Sequence, residues 1–442
     1  MFEQARNHFI AEFGRRSGAL AGRGTPWVDR LRALALEQFA ASGLPSPHEE
    51  EWKYTNVEPI ARHRFETPPR AASVVSAERI DALALGGRGC EHLLVFVDGH
   101  YMPSLSKLGR LPGGTLVASL GQVLAREPAR VEPHLALSAA ATPFAALNTA
   151  FAAEGAFIEL ARGAAIDAPI QLLYLSAAGE AVTHPRTLIV AAEGARATVI
   201  EQHGGADGTA YFTNAVTQVA LGANAEVEHF KLQQEGDGAF HVAAIQVRQE
   251  RDSRFRSHSL ALGAALARTD IQASLDATGC ECALNGLYVA GGSQLLDHHT
   301  RIDHARPRGT SRVFYRGILD GRSRGVFAGR VVVHKGAQKT DAHLANHNLL
   351  LSAQAEADTK PQLEIHADDV KCGHGTTVGR LDEAMLFYLR SRGLPEDLAG
   401  ALLTYAFAHD VIGRIGIAPL RERLEDILLA RLPEGRLIRE YA

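Results

Sequence analysis

The stretch SRVFYRGILDGRSRGVFAGRVVVHKGAQ, residues 311–338, is the clearest guide to the architecture of this 442-residue chain. It holds two strand-length runs of β-branched and aromatic residues, separated by turn residues that include Asp320 and Gly321. Comparable runs recur between about residues 151 and 367, with starts roughly 10 to 17 residues apart. No helix-length apolar periodicity lies between them, which disfavours a βαβ arrangement. This region is therefore predicted to be mainly β: a sandwich, a barrel or a solenoid.

The turns between these runs favour a solenoid. Sandwich hairpins commonly use Asn-Gly or Asp-Gly turns, whereas most turns here are single glycines or acidic-glycine pairs between strands of similar length. Such turns suit coils stacked on one another, and residues 297–304 and 346–348 could form polar ladders between coils. The sequence has no sharp repeat, so the pattern alone leaves the sandwich open. Inward-pointing Val, Ile, Leu and Phe are expected to fill the interior.

The chain divides into three predicted parts. Residues 1–150 form an N-terminal helical and mixed region, residues 151–380 form the β region, and residues 381–442 form a C-terminal helical domain. The first helix of the last part begins with acidic residues and ends with arginines before Gly393, which matches the helix dipole at both ends.

Composition excludes several classes of protein. The net charge is −4 and no long run of like charges occurs, so neither a nucleic acid nor a membrane surface is an expected partner. No apolar stretch is long enough for a transmembrane helix, and no signal peptide is evident. Four cysteines indicate a reducing compartment, so a cytoplasmic location is expected. The P-loop, HExxH, GxSxG and Rossmann motifs are missing, which argues against the commonest enzyme classes.

The stretch VKCGHGTTVG contains the strongest candidate site, Cys372 and His374. In an extended chain these two side chains point to one face, so the thiol and the imidazole could reach one point. Gly373 and Gly375 permit unusual backbone angles and the close approach of another chain, and Lys371 could lower the pKa of the thiol. Two ligands are half of a tetrahedral metal site, so a simple glycine turn that closes the β region remains an equal alternative.

Other candidates have a more ordinary interpretation. Cys280 and Cys282 form a C-x-C on one strand face, where two thiolates could hold a soft metal, but buried free cysteines are commoner. Cys90 stands alone and is expected in the core. His298 and His299 alternate across a strand and cannot chelate one ion together.

The second C-terminal helix carries apolar residues on more than one face, among them Leu402, Tyr405 and Phe407. Such a helix should be covered on two sides, by its own domain and by a partner.

Several stretches together resemble one protein family. They are EEEWKYTNV, DHHTRIDHARPRGTSRVFYRGILDG, AQKTDAHLANHNLLLS and TKPQLEIHADDVKCGHGTTVGRLDEAMLFYLRSRG. They resemble the SufB/SufD family of iron–sulfur cluster assembly proteins, and the form VKCGHGTTVG is closer to its SufD branch. The resemblance covers most of the chain. Gly373 is a departure, because a serine is common at that position in the family.

The resemblance implies a fold and a set of partners. The fold is a right-handed parallel β-helix between N-terminal and C-terminal helical regions. The implied role is a non-catalytic scaffold subunit that pairs with a SufB-like paralogue through the β-helices. Its C-terminal helices would bind a SufC-like ABC ATPase, with Leu402, Tyr405 and Phe407 as contacts.

The resemblance also implies a cargo. A cysteine desulfurase system would deliver sulfur indirectly, and Cys372 and His374 would lie at the interface with the paralogue. There they would hold iron or a nascent cluster transiently, with Lys371, Gly373 and Gly375 in support. No permanently bound cofactor is expected, and a homodimer is possible when the chain is isolated.

Two other functions remain in competition. A β-helix enzyme acting on polysaccharide would need clustered carboxylates and sugar-stacking aromatics, but aromatic residues make up 6% of the chain and tryptophan occurs twice. A purely structural module, with Cys372 and His374 inert, is the second alternative.

Overall fold

A computed structural model describes residues 1–69, 75–84, 90–135, 142–432, 435, 437 and 438. Its helices are α1 (Phe2–Arg16), α2 (Pro26–Ser42), α3 (Glu58–Arg62), α4 (Ala77–Leu83), α5 (Leu120–Arg126), α6 (Pro128–Leu135), α7 (Pro143–Phe151), α8 (Glu383–Ser391), α9 (Glu396–Ile412) and α10 (Ala418–Leu429).

The strands before the regular coils are β1 (His92–Val97), β2 (His100–Tyr101), β3 (Lys107–Leu108), β4 (Leu116–Ser119), β5 (Ala156–Leu160), β6 (Ile170–Ser176) and β7 (Ala181–Thr183). The later strands are β8 (Arg186–Ala191), β9 (Arg196–Gly205), β10 (Tyr211–Leu221), β11 (Glu226–Gln234), β12 (Phe240–Gln249), β13 (Arg254–Ala261), β14 (Leu266–Leu275), β15 (Glu281–Ala290), β16 (Leu295–His304), β17 (Thr310–Leu319), β18 (Arg324–Val333), β19 (Asp341–Leu350), β20 (Glu356–Ile365) and β21 (Lys371–Gly379).

These strands form a parallel β-solenoid of about eight turns, which confirms the predicted fold class. From β8 onward, consecutive strands alternate between two sheets, and each strand pairs with the next but one. We call these sheets the β20 sheet and the β21 sheet, after their last strands. Paired residues are 26 apart in the shortest coil (Phe240 with Leu266) and 32 apart in the longest (Arg324 with Glu356). This variable coil length explains why the sequence shows no sharp repeat.

The solenoid begins earlier in the chain than the β-rich sequence region suggests. Strand β1 pairs in parallel with β6, with His92 opposite Ile170, and therefore extends the β21 sheet. Strand β4 adds to the other sheet through β5. The predicted division at residue 150 thus assigns four strands of the sheets, β1 to β4, to the N-terminal region.

The interior is apolar for much of its length, but its side chains do not follow the predicted alternation everywhere. In β11, His229 and Lys231 are buried inside, whereas Phe230 and Leu232 belong to an outer cluster with α9 and α10. The prediction that Val, Ile, Leu and Phe point inward is therefore wrong for Phe230 and Leu232, whereas Val227 of the same strand does lie in the interior. The reason is that the C-terminal helices give the outer sheet face its own apolar cover.

Successive coils also share interior space through paired glycines and tyrosines. Gly286 lies opposite Tyr315, and Tyr288 lies opposite Gly317, in the same pair of strands. A Cβ atom at Gly286 would stand 2.1 Å from Tyr315 Cε1, and one at Gly317 would stand 2.1 Å from Tyr288 Cε2. Each ring thus occupies the space that the neighbouring glycine leaves.

A segment containing the EEEWKYTNV stretch fastens the N-terminal region to the outer face of the β20 sheet. The Arg268 guanidinium lies 3.7 Å from the centre of the Trp52 ring. It donates two hydrogen bonds to Asp270, at 2.9 and 3.1 Å, and one to Asp297 at 3.0 Å. Asp297 also accepts a hydrogen bond from Thr55 at 2.6 Å. The segment is therefore held by a buried ionic network as well as by the burial of Trp52.

Candidate functional site

The last coil leaves the solenoid open at one end. Strands β20 and β21 are terminal in their sheets, so within the described part of the chain each has a sheet partner on one side only. Ile365 and Val378 are 43% and 47% exposed there. An open end with unpaired strands and exposed apolar side chains is a surface that a second protein can extend.

Strand β21 places Cys372 and His374 on the rim of this open end. Cys372 lies opposite Ala342 and His374 lies opposite Leu344, and both of these β19 residues are buried in the interior. The two side chains therefore continue the inner face of the β21 sheet. Cys372 is half-buried against the interior cluster, whereas His374 is exposed.

The Cys372 thiol differs from the predicted state. Burial raises its pKa, the Asp341 carboxylate adds to the effect, and a hydrogen bond with the Ala342 backbone opposes it. The expected lowering of this pKa by Lys371 is therefore wrong, because Lys371 is exposed and burial of the thiol has the larger effect. The group is a thiol near neutral pH, and a metal that bound there would have to displace its proton.

Gly373 and Gly375 have ordinary extended backbone angles, so the unusual angles that glycine permits are not used here. Their open sides offer space instead. A Cβ atom at Gly373 would first meet His343 Nδ1 at 3.5 Å, and one at Gly375 would meet nothing within 4 Å. The outer face of β21 is therefore clear of the described chain at Gly375, and at Gly373 it meets only the His343 ring.

Cys372 and His374 are not a complete metal site. The residues that the structure describes contain no group of three or more His, Cys, Asp or Glu side chains placed to hold a metal ion. No third ligand for an ion at this rim is therefore found in the part of the chain that the structure describes.

Of the other cysteines, Cys280 and Cys282 are buried and Cys90 is half-buried. Cys280 and Cys282 lie in the interior cluster, and burial raises the pKa of both thiols, that of Cys282 to about 12. Cys90 is half-buried near β1, and burial raises its pKa as well. These protonated thiols support the interpretation of all three as small apolar residues.

The predicted ATPase contacts pack mainly within the chain. Tyr405 and Phe407 lie against the apolar cluster between α9, α10 and the β21 sheet, and Leu402 packs toward the end of the helical domain. Arg316 of β17 lies over the Phe407 ring at 4.4 Å and donates to the Phe407 carbonyl at 2.8 Å. The solenoid and the other C-terminal helices thus cover part of the apolar surface from which a partner was inferred, and all three side chains are half-buried. Docking of the ATPase at these three residues stays a prediction, but the reason first given for it, an uncovered apolar surface on α9, is weakened.

Helix α8 carries an apolar surface that the sequence reasoning missed. Met385, Phe387 and Tyr388 are 57%, 72% and 57% exposed, and no residue of this helix is buried. The signal was present in the sequence, because a nine-residue helix with apolar residues at these spacings cannot bury all of them on one face.

The two unpaired strand edges differ in chemistry. In β20 the backbone N–H groups of Glu356 and His366 at its two ends donate toward β18, so the odd-numbered residues between them direct theirs outward. Pro361 is one of these and has no N–H to offer. In β21 the Lys371 N–H donates toward β19, so the edge-facing residues are 372, 374, 376 and 378, none of which is proline. The β21 edge is open to another strand, and Pro361 interrupts the β20 edge.

Comparison with known proteins agrees with this architecture. The family described as "SUF system FeS cluster assembly, SufBD core domain" matches residues 174–407, and the family described as "SufBD protein N-terminal region" matches residues 3–172. The chain belongs to the SufBD family. This confirms the resemblance drawn from the sequence motifs.

Individual relatives of the SufBD family match over most of their length. The iron–sulfur cluster assembly protein SufD of Escherichia coli is 34% identical over 404 residues, covering 90% of this chain and 92% of the relative. A SufBD family protein of Synechocystis is 31% identical over 411 residues, covering 90% of each chain. SufD of Bacillus subtilis is 24% identical over 420 residues, covering 91% and 93%. None of the helices among the described residues is long and apolar enough to cross a membrane.

Proposed function

We propose that this chain is a non-catalytic scaffold subunit of a cytoplasmic SufBCD-type complex for iron–sulfur cluster assembly. In that complex it pairs with a SufB-like paralogue and binds a SufC-like ABC ATPase. Membership of the SufBD family supports the general role. The observation that carries the proposal is the open end of the solenoid, where Cys372 and His374 lie on the inner face of β21, an edge strand that is paired on one side only.

Pairing at β21 would complete the partial site. A partner strand that added to this edge would bond to the backbone groups of residues 372, 374, 376 and 378, whose side chains all face inward. Facing side chains on adjacent strands have Cβ atoms about 4.5–5.5 Å apart. Side chains of the partner would then stand beside Cys372 and His374 and supply the remaining ligands. The same free edge can pair two copies of this chain when the paralogue is absent.

The cargo at this interface is iron or a nascent cluster, with sulfur delivered through a cysteine desulfurase system. Thiolates and imidazoles are both competent ligands for such species. A transient cargo suits a site divided between two subunits, because each subunit alone supplies only part of the ligand set.

Replacing Thr376 with proline is expected to abolish pairing with the SufB-like partner. The substitution removes an edge-facing N–H and puts a bulky ring in the path of the incoming strand. The matched control is Thr359→Pro in β20, which also removes an edge-facing N–H but lies on the edge that Pro361 already interrupts. Co-purification of the two subunits measures the effect. Equal pairing by both variants would contradict strand addition at β21.

Replacing His374 with alanine is expected to reduce cluster formation by the assembled complex at least tenfold while leaving partner binding intact. The side chain is exposed and makes no packing contact whose loss would unfold the strand. His343→Ala is the control, because His343 is an exposed histidine on the adjacent strand. Anaerobic reconstitution followed by absorption spectroscopy gives the readout. Wild-type cluster formation by the His374 variant would show that the segment is only an edge strand.

Replacing Phe387 with serine is expected to weaken co-purification with the ATPase about tenfold or more, since a buried aromatic anchor often contributes over 1 kcal/mol to an interface. The side chain is 72% exposed, so its loss should not affect folding. Leu34→Ser is the control, as Leu34 is 58% exposed on α2. If the Phe387 variant retains the ATPase and variants of Leu402 or Tyr405 lose it, the docking surface lies on α9 instead.

A further inference from the structure

The solenoid interior holds a layer of ionisable side chains that the proposed function does not use. We call it the ionisable layer; its members are Glu201, His203, His229, Lys231, Glu235 and His241. Each is at most 4% exposed. Buried charges are costly unless they are paired, so the partners within this layer determine what it can do.

Lys231 and His241 form the centre of the layer. Lys231 Nζ lies 2.7 Å from His241 Nε2. An ammonium group has donors but no acceptor, so a protonated Lys231 must donate to an unprotonated Nε2. The proton of the neutral His241 ring then sits on Nδ1, which lies 2.7 Å from Glu235 Oε2 in a bent contact.

Glu235 does not depend on His241 alone. Its Oε1 accepts from Thr213 Oγ1 at 2.6 Å, and its Oε2 accepts from Gln233 Nε2 at 3.1 Å. The carboxylate therefore keeps two donors if His241 turns its proton away. This gives the Lys231–His241–Glu235 chain a second arrangement that leaves no carboxylate oxygen without a donor.

The direction of the hydrogen bond between Lys231 and His241 depends on the charge of Lys231. When Lys231 releases one proton to water, its amine nitrogen gains a lone pair and can accept a hydrogen bond from His241 Nε2–H. The His241 proton moves from Nδ1 to Nε2, and no other group changes charge. Burial lowers the pKa of Lys231 to about 8, against the opposing effects of Glu235 and Glu201. The release therefore falls close to physiological pH.

We propose that Lys231 and His241 form a proton-controlled switch inside the solenoid, in which the charge of Lys231 selects the tautomer of His241. Other groups bound the switch on every side. They are Tyr174 on β6, Glu201 and His203 on β9, Tyr211 and Thr213 on β10, His229 and Gln233 on β11, Glu235 after β11, and His298 on β16. Glu201 already has its own donors, Thr217 Oγ1 at 2.7 Å and His229 Nε2 at 3.0 Å, so it does not compete for His241.

The switch is expected to affect the structure locally, in the turn that leads from Glu235 into β12. Glu235 begins the turn that leads into β12, and its backbone carbonyl accepts from the Ala264 N–H of the next coil at 3.0 Å. When His241 turns its proton away, the contact between β12 and this turn weakens. Lower amide protection factors, corrected for the rise of the intrinsic exchange rate with pH, are expected in residues 235–239 above the transition than below it.

Nitrogen NMR of the full-length chain, labelled with ¹⁵N-histidine, tests the switch between pH 6.5 and 10. The expected result is that the protonated nitrogen of His241 changes from Nδ1 to Nε2 with a midpoint near pH 8, with His241→Gln used to assign the signals. Lys231→Met should abolish the transition, and Lys335→Met, which removes an exposed lysine, should leave it unchanged.

A single tautomer of His241 from pH 6.5 to 10 in the unaltered chain would overturn the proposal, and so would the same transition in Lys231→Met. The titration of the unaltered chain decides the question even if Lys231→Met does not fold.

Discussion

Replacing Arg268 with alanine is expected to lower the free energy of unfolding by about 3–5 kcal/mol, the usual cost of breaking a buried ion pair. Asp297 is fully buried and Asp270 nearly so, and both would lose the Arg268 guanidinium, which leaves Asp297 with His299 as its cationic partner. The substitution also removes the guanidinium from the Trp52 ring and a 2.6 Å hydrogen bond to the Glu51 carbonyl. The N-terminal region would thus lose its attachment to the β20 sheet together with the charge balance beneath it.

Chemical denaturation followed by circular dichroism measures this change. Arg301→Ala is the matched control, because Arg301 also bonds a nearby aspartate in the same sheet, Asp303 at 2.7 Å, but its side chain is 43% exposed. A half-exposed pair of this kind contributes about 0–1 kcal/mol. Similar losses in the two variants would contradict the importance assigned to burial of the Arg268 network.

Mild acid is expected to destabilise the chain strongly. Burial lowers the pKa of His184 and His298 to about 3 and that of His304 to about 4, and it holds the pKa of His203 well below its usual value. An unfolded histidine titrates near 6.5. Below that pH the unfolded chain binds protons that the folded chain does not, so stability falls as the pH falls. Each such histidine removes about 2 kcal/mol between pH 6.5 and 5.

Four histidines acting together approach the whole stability of an ordinary domain. Thermal unfolding between pH 7 and 4.5 is the measurement, and the melting temperature should drop steeply across this range. His298→Gln should flatten the curve, because it removes one of the groups that takes up a proton on unfolding. A melting temperature that stays constant from pH 7 to 5 would show that these imidazoles are already protonated in the folded chain.

The pKa shift of His299 has the opposite sign, so this residue lowers the stability of the chain at alkaline pH. Burial opposes its charge, but the neighbouring Asp297 carboxylate, 3.0 Å away, raises its pKa to about 9. Its contribution is complete below about 6.5 and is lost as the pH rises through about 9. The free energy of unfolding is therefore expected to be greatest between about pH 6.5, below which the buried histidines destabilise the fold, and about pH 9, where His299 loses its proton.

The sequence predicted the strands of the β region because their evidence is local, whereas the choice of a solenoid over a sandwich came from the family resemblance. Strand-length runs with glycine turns, such as those of residues 311–338, are set by neighbouring residues and survive in the structure as β17 and β18. The pairing of Cys372 with His374 on one strand face also follows from a spacing of two in an extended segment, so the candidate site was visible before any coordinates.

Burial on the outer face could not be predicted in the same way. In β11, alternation places His229 and Lys231 on one face and Phe230 and Leu232 on the other. From the sequence alone, the apolar pair would be assigned to the interior, because nothing near it in sequence indicates that α9 and α10 cover the outer face. What covers a sheet face depends on residues nearly two hundred positions away. The pKa of Cys372 was misjudged for a related reason, since neighbours in sequence suggest a charge effect whereas burial is a property of the whole coil.

The glycine–tyrosine pairs of the interior restrict how this chain can vary over evolutionary time. Because the Tyr315 ring fills the space above Gly286, and the Tyr288 ring fills the space beside Gly317, no one of these four residues can change size alone. An alanine at either glycine needs a smaller side chain on the neighbouring strand at the same moment. Strands β15 and β17 should therefore show correlated substitutions among relatives. A chimaera that takes only one of these strands from a relative should fold poorly, whereas one that takes both should fold.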